Sequence, residues 1–223
     1  MLSLPNLSSI HAVVFDLDGT LIDSEAHYCH AYIHAMTTLG GSLEVEDYYQ
    51  RFAGRTDDAI DESLQAELPG PVELATIRRT WRCEFERLRE TTGLPVMPGA
   101  LQLLDFLQGR GLPLAIASAA GLGDITASLD LAGIRDRFQA LCSATEVFNP
   151  KPAPDVYLLA AERLAVDPGR CLAFEDTNAG TRAAIRAGMY TVMVPHRCQP
   201  DAFARRHASG IAASLTEIVD DLR

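Results

Sequence analysis

The chain is poor in basic residues. Its 223 residues contain 19 Lys and Arg against 30 Asp and Glu, which leaves a formal net charge of -11. General nucleic-acid binding and binding to an anionic membrane both depend on clustered Lys and Arg, so this deficit argues against either partner. Any affinity for phosphate must therefore come from a local arrangement of residues.

The sequence also lacks paired cysteines and long apolar runs. Its five cysteines are scattered along the chain at Cys29, Cys83, Cys142, Cys171 and Cys198. This spacing fits free thiols in a reducing compartment better than a disulfide framework. No stretch approaches the roughly 20 apolar residues that a membrane span needs. We therefore expect a cytoplasmic protein with no membrane partner.

Short apolar runs alternate with helical patterns over most of the chain. Four runs rich in β-branched or small apolar residues predict buried strands, at 10–15, 112–117, 170–174 and 190–194. Amphipathic patterns between them predict helices, at 100–110, 122–132, 154–164 and 178–187. This alternation is typical of a doubly wound α/β fold, a Rossmann-like parallel sheet covered by helices on both faces.

One long segment departs from the alternation. Between residues 23 and 94, helical periodicity continues without a convincing strand, over 25–39, 45–52, 57–68 and 72–91. We interpret this segment as an all-helical domain inserted after the first strand. The Gly and Pro residues at 93–99 indicate a hinge and a return to the α/β pattern. The predicted domains are a core of residues 1–22 and 95–223 and a helical insert of residues 23–94.

Polar side chains follow the predicted strands. In an open parallel sheet, ligands bind in the crevice at the carboxyl ends of the strands. The residues expected at that edge are mostly carboxylates, a lysine and a hydroxyl: Asp16, Asp18, Ser118, Lys151, Glu175 and Asp176. Buried strand ends have little structural reason to collect these types, so we interpret them as a candidate site.

Asp16 and Asp18 have a spacing that suits acid–base and nucleophilic chemistry. Residues two apart in an extended backbone point to the same side, so one carboxylate can attack while the other moves protons. Gly19 permits a tight turn, and Thr20 offers a hydroxyl and an N–H to a phosphate oxygen. The alternative interpretation of these residues is an ordinary polar turn.

The predicted site concentrates negative charge. Asp16, Asp18 and Asp176 would repel each other, since a like-charged pair at 4 Å costs about 4 kcal/mol at an effective dielectric of 20. Cations are therefore required, and Mg²⁺ suits carboxylate ligands shared with a substrate phosphate. Lys151, in the proline-rich segment NPKPAP, supplies a fixed positive charge, although a lone lysine is usually solvated.

Helix capping is the structural alternative for two of these segments. Ser118 ends an apolar run before a helix, which is also what an N-cap residue does. The same alternative applies to Glu175, Asp176 and Thr177, since acidic residues and Thr are typical of a helix N-terminus. Capping and function are compatible, because a helix start presents free N–H groups to an anion.

Four segments in order resemble the motifs of the haloacid dehalogenase superfamily. They are residues 15–24 (FDLDGTLIDS), Ser118, residues 151–154 (KPAP) and residues 175–180 (EDTNAG). The match spans nearly the whole chain. The helical insert resembles the cap of the β-phosphoglucomutase and phosphoglycolate phosphatase branch.

This resemblance implies a role for each residue of the site. Asp16 would be the nucleophile that forms an aspartyl-phosphate, and Asp18 the acid that protonates the leaving oxygen and then activates water. Asp16, the backbone carbonyl of Asp18, and Asp176 would hold Mg²⁺, with Glu175 adjacent. The phosphate-binding residues would be Thr20, Ser118, Ala119 and Lys151. An Asp at position 18 favours phosphate esters, because the dehalogenases and phosphonatases lack it.

The insert bears on the choice of substrate. Arg55 lies in the loop that contacts the substrate in this branch of the family. We expect it either to bind the leaving group or to be an ordinary solvated arginine. The same loop departs from the β-phosphoglucomutase pattern, with Ala53 in place of a Lys and Asp57 in place of an Arg, so a mutase reaction is disfavoured. His27, His30 and His34 fall near one helix face, but a metal site is the less favoured interpretation.

The sequence thus predicts a monomeric, Mg²⁺-dependent phosphatase of a small phosphate ester of the sugar or sugar-acid class. A mutase that returns the phosphate to the sugar is the first alternative. A non-catalytic metabolite-binding protein on the same fold is the second, and it is disfavoured because every chemical position is filled.

Overall fold

The computed structural model of the protein describes residues 7–52, 55 and 57–222. The chain divides into two compact units. The first comprises Met1–Asp23 and Pro95–Arg223 and is called the α/β unit below; the second comprises Ser24–Leu94 and is called the helical unit.

The helical unit contains four helices and no strand among its described residues. The helices are α1 (Glu25–Thr38), α2 (Val45–Arg51), α3 (Asp57–Glu67) and α4 (Leu74–Thr92). Each falls within one or two residues of its predicted range at both ends. Its core is rich in aromatic side chains, and the rings of Tyr32 and Trp81 lie 4.9 Å apart between α1 and α4. This cluster buries enough apolar surface to give the unit a core of its own.

A six-stranded sheet forms the centre of the α/β unit. In chain order its strands are β1 (Ala12–Phe15), β2 (Leu114–Ser118), β3 (Ala140–Ser143), β4 (Cys171–Glu175), β5 (Tyr190–Met193) and β6 (Gly210–Ile211). The spatial order is β3-β2-β1-β4-β5-β6, and every pairing is parallel. The predicted parallel α/β fold is confirmed.

Helices follow the strands and cover the sheet. They are α5 (Ala100–Gly109), α6 (Leu122–Leu131), α7 (Asp155–Arg163), α8 (Asn178–Arg186), α9 (Ala202–His207) and α10 (Leu215–Leu222). One core cluster packs small residues of the sheet such as Ala173 against Tyr157 of α7 and Ala184 of α8. Every residue of β1 is buried, as expected for a central strand covered on both faces. No helix among the described residues is long and apolar enough to cross a membrane.

The sheet register sets the level of the candidate site. Phe15, the last residue of β1, is paired with Ile116 of β2 and Phe174 of β4. Asp16 therefore leaves β1 beside Glu175, the last residue of β4. The carboxyl ends of these neighbouring strands meet at one edge of the sheet.

Two strands and two helices were not predicted. Strand β3 is a short edge strand of Ala, Leu, Cys and Ser without a β-branched residue, and β6 has only two residues. The C-terminal helices α9 and α10 are also short, at six and eight residues. Elements of this size take their conformation mainly from their neighbours in the fold, and local pattern predicts them poorly.

Candidate active site

The loop after β1 holds Asp16 at the sheet edge. Its backbone N–H donates to the carbonyl oxygen of Phe174 at 3.0 Å, and its side chain is buried. The chain then turns back on itself, with the N–H of Gly19 donating to Ile22 O at 2.7 Å and that of Leu21 to Leu17 O at 2.9 Å. This turn keeps the Asp16 carboxylate from moving with a flexible loop.

Gly19 makes room for Asp176 at the same turn. Its φ of +83° lies in the left-handed region, and a Cβ added there would stand 2.4 Å from Oδ2 of Asp176. Thr20, the next residue, is buried and donates from Oγ1 to Asp176 Oδ1 at 3.5 Å. The β1 loop and the β4 loop therefore pack directly on each other through these residues.

Lys151 joins the two loops electrostatically. It is the only lysine of the chain, and its side chain is 8% exposed. Its Nζ donates to Asp16 Oδ1 at 2.5 Å and to Glu175 Oε1 at 2.7 Å. The loop that carries it is tied down, because Oδ1 of Asp155 accepts bonds from the backbone and side-chain amides of Asn149. Lys151 is thus a buried, paired cation, whereas an isolated lysine is usually solvated.

Glu175 has all four of its acceptor positions filled by protein donors. Oε1 accepts from Lys151 and from the hydroxyl of Tyr157 at 3.1 Å. Oε2 accepts from the N–H and from Oγ1 of Thr177, both at 2.8 Å. A carboxylate offers about four lone-pair sites, so this one is saturated.

Three carboxylates form an acidic group at this edge. Among the described residues, Asp16, Glu175 and Asp176 are the group whose side-chain oxygens could hold a metal ion, and these atoms lie within 4.8 Å of one another. Burial raises the pKa of the Asp16 carboxyl from its ordinary 3.8 to about 7, with Lys151 opposing the shift and Glu175 adding to it. Burial, Glu175 and Asp16 likewise raise the pKa of Asp176.

The ammonium of Lys151 responds to the same charges. Burial alone would lower its pKa, but the carboxylates of Asp16 and Glu175 outweigh burial and raise the pKa well above its usual value. Lys151 therefore stays charged. Burial, and after it the excess of negative charge that one ammonium leaves beside three carboxylates, raises the pKa of the Asp16 and Asp176 carboxyls.

Ser118 is the last residue of β2 and is buried. The alternative interpretation of Ser118 as an N-cap is wrong, because α6 begins four residues later and its N-cap is Gly121. Instead, Oγ of Ser118 accepts from the N–H of Ala120 at 3.1 Å. Ala119, the other predicted phosphate-binding residue of this loop, is exposed.

The capping interpretation of the segment after β4 is correct at Thr177. Its Oγ1 accepts from the N–H of Gly180 at 3.0 Å and caps α8. The same hydroxyl donates to Glu175. Capping and the holding of a site carboxylate are therefore performed by one side chain.

The structure brings five of the predicted site residues into one connected group. Hydrogen bonds and close approaches of side-chain oxygens link Asp16, Thr20, Lys151, Glu175 and Asp176. Asp18, two residues beyond Asp16, is close enough for its charge to raise the pKa of Asp16. Ser118 lies at the end of β2, the strand next to β1.

Arg55 belongs to the helical unit, where it is exposed and its N–H donates to Phe52 O at 2.9 Å. Its neighbours Ala53, Gly54 and Thr56 lie outside the described residues. Asp57 begins α3 and accepts a bond from the hydroxyl of Tyr32 at 3.5 Å, within the helical unit. Burial raises the pKa of this carboxyl.

The three histidines of α1 do not form a metal-binding group among the described residues. Nε2 of His27 lies 2.9 Å from Oγ1 of Thr92, and Nε2 of His34 lies 3.4 Å from Oγ1 of Thr38. These are contacts of ordinary polar side chains on the helical unit.

Sequence analysis missed three contributors to the site. Tyr157 is fully buried beneath Lys151, two residues after Asp155 in the same segment. Ser143, at the end of β3, donates to Ala120 O at 2.6 Å and so supports the loop after Ser118. Gly180 lies against Glu175. A local signal existed for Ser143, because Ser143 and Glu146 have the spacing of a capping box and form one.

The chain is similar to known proteins over most of its length. The model of the haloacid dehalogenase-like hydrolase family matches residues 10–188. The chain is 33% identical to hexitol phosphatase B of Escherichia coli (strain K12) over 188 residues, which covers 83% of this chain and 84% of that protein.

Solved structures show the same fold. CbbY from Rhodobacter sphaeroides in complex with phosphate superposes with a TM-score of 0.77 at 28% identity, covering 94% of this chain and 96% of the other. A putative β-phosphoglucomutase from Thermotoga maritima superposes with a TM-score of 0.84 at 27% identity, covering 96% and 98%.

Proposed function

The chain belongs to the haloacid dehalogenase-like hydrolase family, and on that premise we propose that it is a phosphatase of small phosphorylated metabolites. Its substrate would be an ester of the sugar or sugar-acid class, a proposal supported by the 33% identity to a protein named hexitol phosphatase B. The reaction would pass through an aspartyl-phosphate, the acyl phosphate of Asp16, and require Mg²⁺.

The contact between Lys151 and Asp16 carries the proposal. A buried ammonium lies 2.5 Å from a buried carboxylate at the end of a central parallel strand, which supports Asp16 as the nucleophile and Lys151 as the phosphate-binding cation. A phosphoryl group attacked by Asp16 would bring its oxygens next to this ammonium. Phosphoryl transfer depends mainly on such positioning and charge neutralisation.

In the proposed reaction, Asp16 forms the bond to phosphorus and Asp18 transfers the protons. An oxygen of Asp16 attacks phosphorus, the bond from phosphorus to the ester oxygen breaks, and the Asp18 carboxyl gives its proton to that leaving oxygen. The Asp18 carboxylate then takes a proton from water, whose oxygen attacks phosphorus and displaces Asp16. Inorganic phosphate leaves, and both carboxyls return to their starting states.

The donor set of the acidic group fits Mg²⁺. Glu175 is saturated by protein donors, so the side-chain oxygens of Asp16 and Asp176 are the ones left for a cation, together with the backbone carbonyl of Asp18. Mg²⁺ is bound in proteins by one or two carboxylates plus substrate phosphate and water. When bound it would neutralise the carboxylates and the phosphate. Glu175 then serves to hold Lys151 in place.

The remaining predicted residues would bind the transferring phosphoryl group. Thr20 lies in the turn that follows Asp16, and Ser118 ends β2, the strand next to β1; we assign both to phosphate oxygens together with the backbone at Ala119. Arg55 is assigned to the leaving group of the ester. The roles of Thr20, Ser118 and Ala119 are inferred from their positions in the α/β unit and from the family pattern, and the role of Arg55 from the family pattern alone.

The mutase alternative keeps the same chemistry and is less well supported. A mutase must hold a second phosphate of its substrate while the intermediate reorients. The β-phosphoglucomutase pattern has an Arg at the position of Asp57. Here the Asp57 carboxylate accepts a hydrogen bond from the hydroxyl of Tyr32. A carboxylate there would repel a second phosphate.

A substrate screen distinguishes these functions. Purified protein is incubated with Mg²⁺ and a panel of phosphorylated metabolites, and released phosphate is measured against an Asp16→Asn control. We expect stoichiometric phosphate release from at least one sugar or sugar-acid phosphate. Interconversion of sugar 1- and 6-phosphates with little release would favour the mutase, and no reaction with any ester would favour a binding protein.

A further inference from the structure

We propose that Tyr157 is a positioning residue that holds Lys151 for phosphoryl transfer by fixing Glu175. The inference rests on the proposed function of this site and adds a residue to it. Tyr157 itself does not reach the reacting atoms in this proposal. It acts through the carboxylate that the lysine also contacts.

Tyr157 is linked to Lys151 in two ways, through Glu175 and through its ring. Its hydroxyl donates to the same oxygen of Glu175, Oε1, that accepts from the ammonium. In addition, Nζ of Lys151 lies 5.1 Å from the centroid of the tyrosine ring, over its face. A cation over an aromatic face is attracted by the ring quadrupole, and more strongly when both groups are buried. Tyr157 is fully buried.

The bonding of Glu175 shows why the hydroxyl matters. Its Oε2 is held by two donors of Thr177, so that end of the carboxylate is anchored on the start of α8. Its Oε1 end is held by Lys151 and Tyr157 among the described residues. Tyr157 is therefore the neutral donor that decides where Oε1 lies when the lysine moves. A hydrogen bond to a charged acceptor is stronger than one between neutral groups, and a dry environment strengthens it further.

This arrangement determines how the ammonium meets substrate. Lys151 has three N–H donors, and two of them are directed at Asp16 and Glu175. The third is then available to a phosphoryl oxygen held by Asp16. If Oε1 of Glu175 shifts, Lys151 no longer bonds to Asp16 and Glu175 at the same time, and its ammonium loses its fixed position.

A purely structural role is the competing explanation. Tyr157 belongs to the core cluster beneath the sheet, and a buried hydroxyl needs some acceptor whatever the site does. In that case its removal would lower stability without changing the ammonium or the transition state. A Tyr157→Phe variant keeps the ring and its face over Lys151 and deletes only the hydroxyl.

The single lysine allows a direct measurement. In protein labelled with ¹⁵N-lysine, the side-chain signal comes from Lys151 alone, and the exchange of its ammonium protons with water can be followed at fixed pH. We expect exchange to be about fivefold or more faster in Tyr157→Phe than in wild type, because one of the bonds that fix its acceptor is gone. Thr191→Val is the matched control, since it removes another buried hydroxyl bond, to Met189 O, in the same unit.

Kinetics give the second readout. On the best substrate of the screen, Tyr157→Phe should lower kcat/KM about tenfold, mainly through kcat, because the lysine acts on the transferring phosphoryl group. Thr191→Val should leave both constants unchanged. Equal proton exchange in wild type and Tyr157→Phe, or faster exchange with unchanged kinetics, would overturn the proposal.

The measurement separates this inference from the proposed function. If no ester is hydrolysed by wild type, the phosphatase assignment fails, and with it the positioning role, while the exchange rates still show whether Tyr157 holds Lys151. If Tyr157→Phe does not fold, the contact between Lys151 and Tyr157 is tested in the wild-type protein instead. We expect a nuclear Overhauser effect between the Lys151 side chain and the Tyr157 ring protons, and its absence would overturn the contact.

Discussion

The carboxylate of Glu175 occupies the space that a side chain on Gly180 would need. A Cβ added to Gly180 would stand 1.5 Å from Oε1 and 2.5 Å from Oε2 of Glu175. Because Glu175 holds Lys151, this glycine is part of the site although it carries no functional group. Its φ is not in the left-handed region, so the requirement is for space and not for backbone freedom.

A Gly180→Ala substitution should therefore disable the site. We expect it to push Glu175 away from Lys151, to lower kcat/KM by about tenfold or more, and to reduce the free energy of unfolding by about 1–3 kcal/mol. Steady-state kinetics and urea unfolding measure the two effects. Gly123→Ala is the matched control, because Gly123 is also helical and a Cβ there meets nothing within 4 Å. It should keep full activity and gain up to about 1 kcal/mol. Equal behaviour of the two variants would contradict the packing argument.

Substitution of the two aspartates of the β1 loop should separate their roles. Asp16→Asn should reduce turnover to below about one thousandth of wild type, because an amide does not form the acyl phosphate. Asp18→Asn should slow both protonation of the leaving oxygen and hydrolysis of the intermediate. Acid quenching with ³²P-labelled substrate should trap phosphoprotein in wild type and none in Asp16→Asn. Asp105→Asn, which removes the carboxylate charge from a surface pair with Arg137, serves as the control and should be fully active.

Activity should require Mg²⁺, and Ca²⁺ should not replace it. Ca²⁺ takes more oxygen ligands at longer distances, which would relax the geometry of in-line transfer. Turnover is measured after treatment with EDTA and then with each cation added in excess. Full turnover in EDTA would show that the acidic group acts without a metal.

The stability of the metal-free protein should depend on pH through Asp16. The carboxyl has an ordinary pKa of 3.8, and burial raises it to about 7 in the folded protein. The folded state therefore keeps a proton that the unfolded state releases. The stabilisation from this group is complete below about pH 4 and is lost as pH rises through about 7.

Thermal unfolding in EDTA should show Tm falling across this window, and less steeply in Asp16→Asn. Mg²⁺ binds the ionised form, so it should raise Tm more at about pH 8 than at about pH 5. A Tm in EDTA that rises from about pH 5 to about pH 7 would contradict the pKa shift of Asp16.

Arg55 should affect the choice of substrate and not the phosphoryl chemistry. We expect Arg55→Ala to lower kcat/KM for the best metabolite about tenfold to a hundredfold, and to have little effect on para-nitrophenyl phosphate, since a charge-assisted bond to the leaving group is worth roughly 1.5–3 kcal/mol. Arg79→Ala, at another exposed arginine of the helical unit, is the control and should change neither rate. Equal losses on both esters, or no loss on either, would remove Arg55 from the assignment.

Much of the fold followed from local pattern. The sequence predicted four strands and eight helices with both ends within two residues of those observed: β1, β2, β4, β5 and α1 to α8. Each of them has a clear apolar period or a buried apolar run. The short elements β3, β6, α9 and α10 were missed, because the packing of the finished sheet decides their conformation. Ser118 was placed just after its strand and is instead the last residue of β2.

The sequence by itself determined which chemical groups the protein has and in what order. The spacing of Asp16 and Asp18, the single motif lysine and the pair Glu175 and Asp176 are local features, and the strand pattern was enough to predict that they lie at one sheet edge. Only the tertiary structure decided which of these groups bond to one another. Glu175 is saturated by Lys151, Tyr157 and Thr177, and that depends on contacts between β4, α7 and the loop before α7. No local pattern encodes such contacts, because the partners of Lys151 are 135 and 24 residues away along the chain, and it is folding that brings them within hydrogen-bond distance.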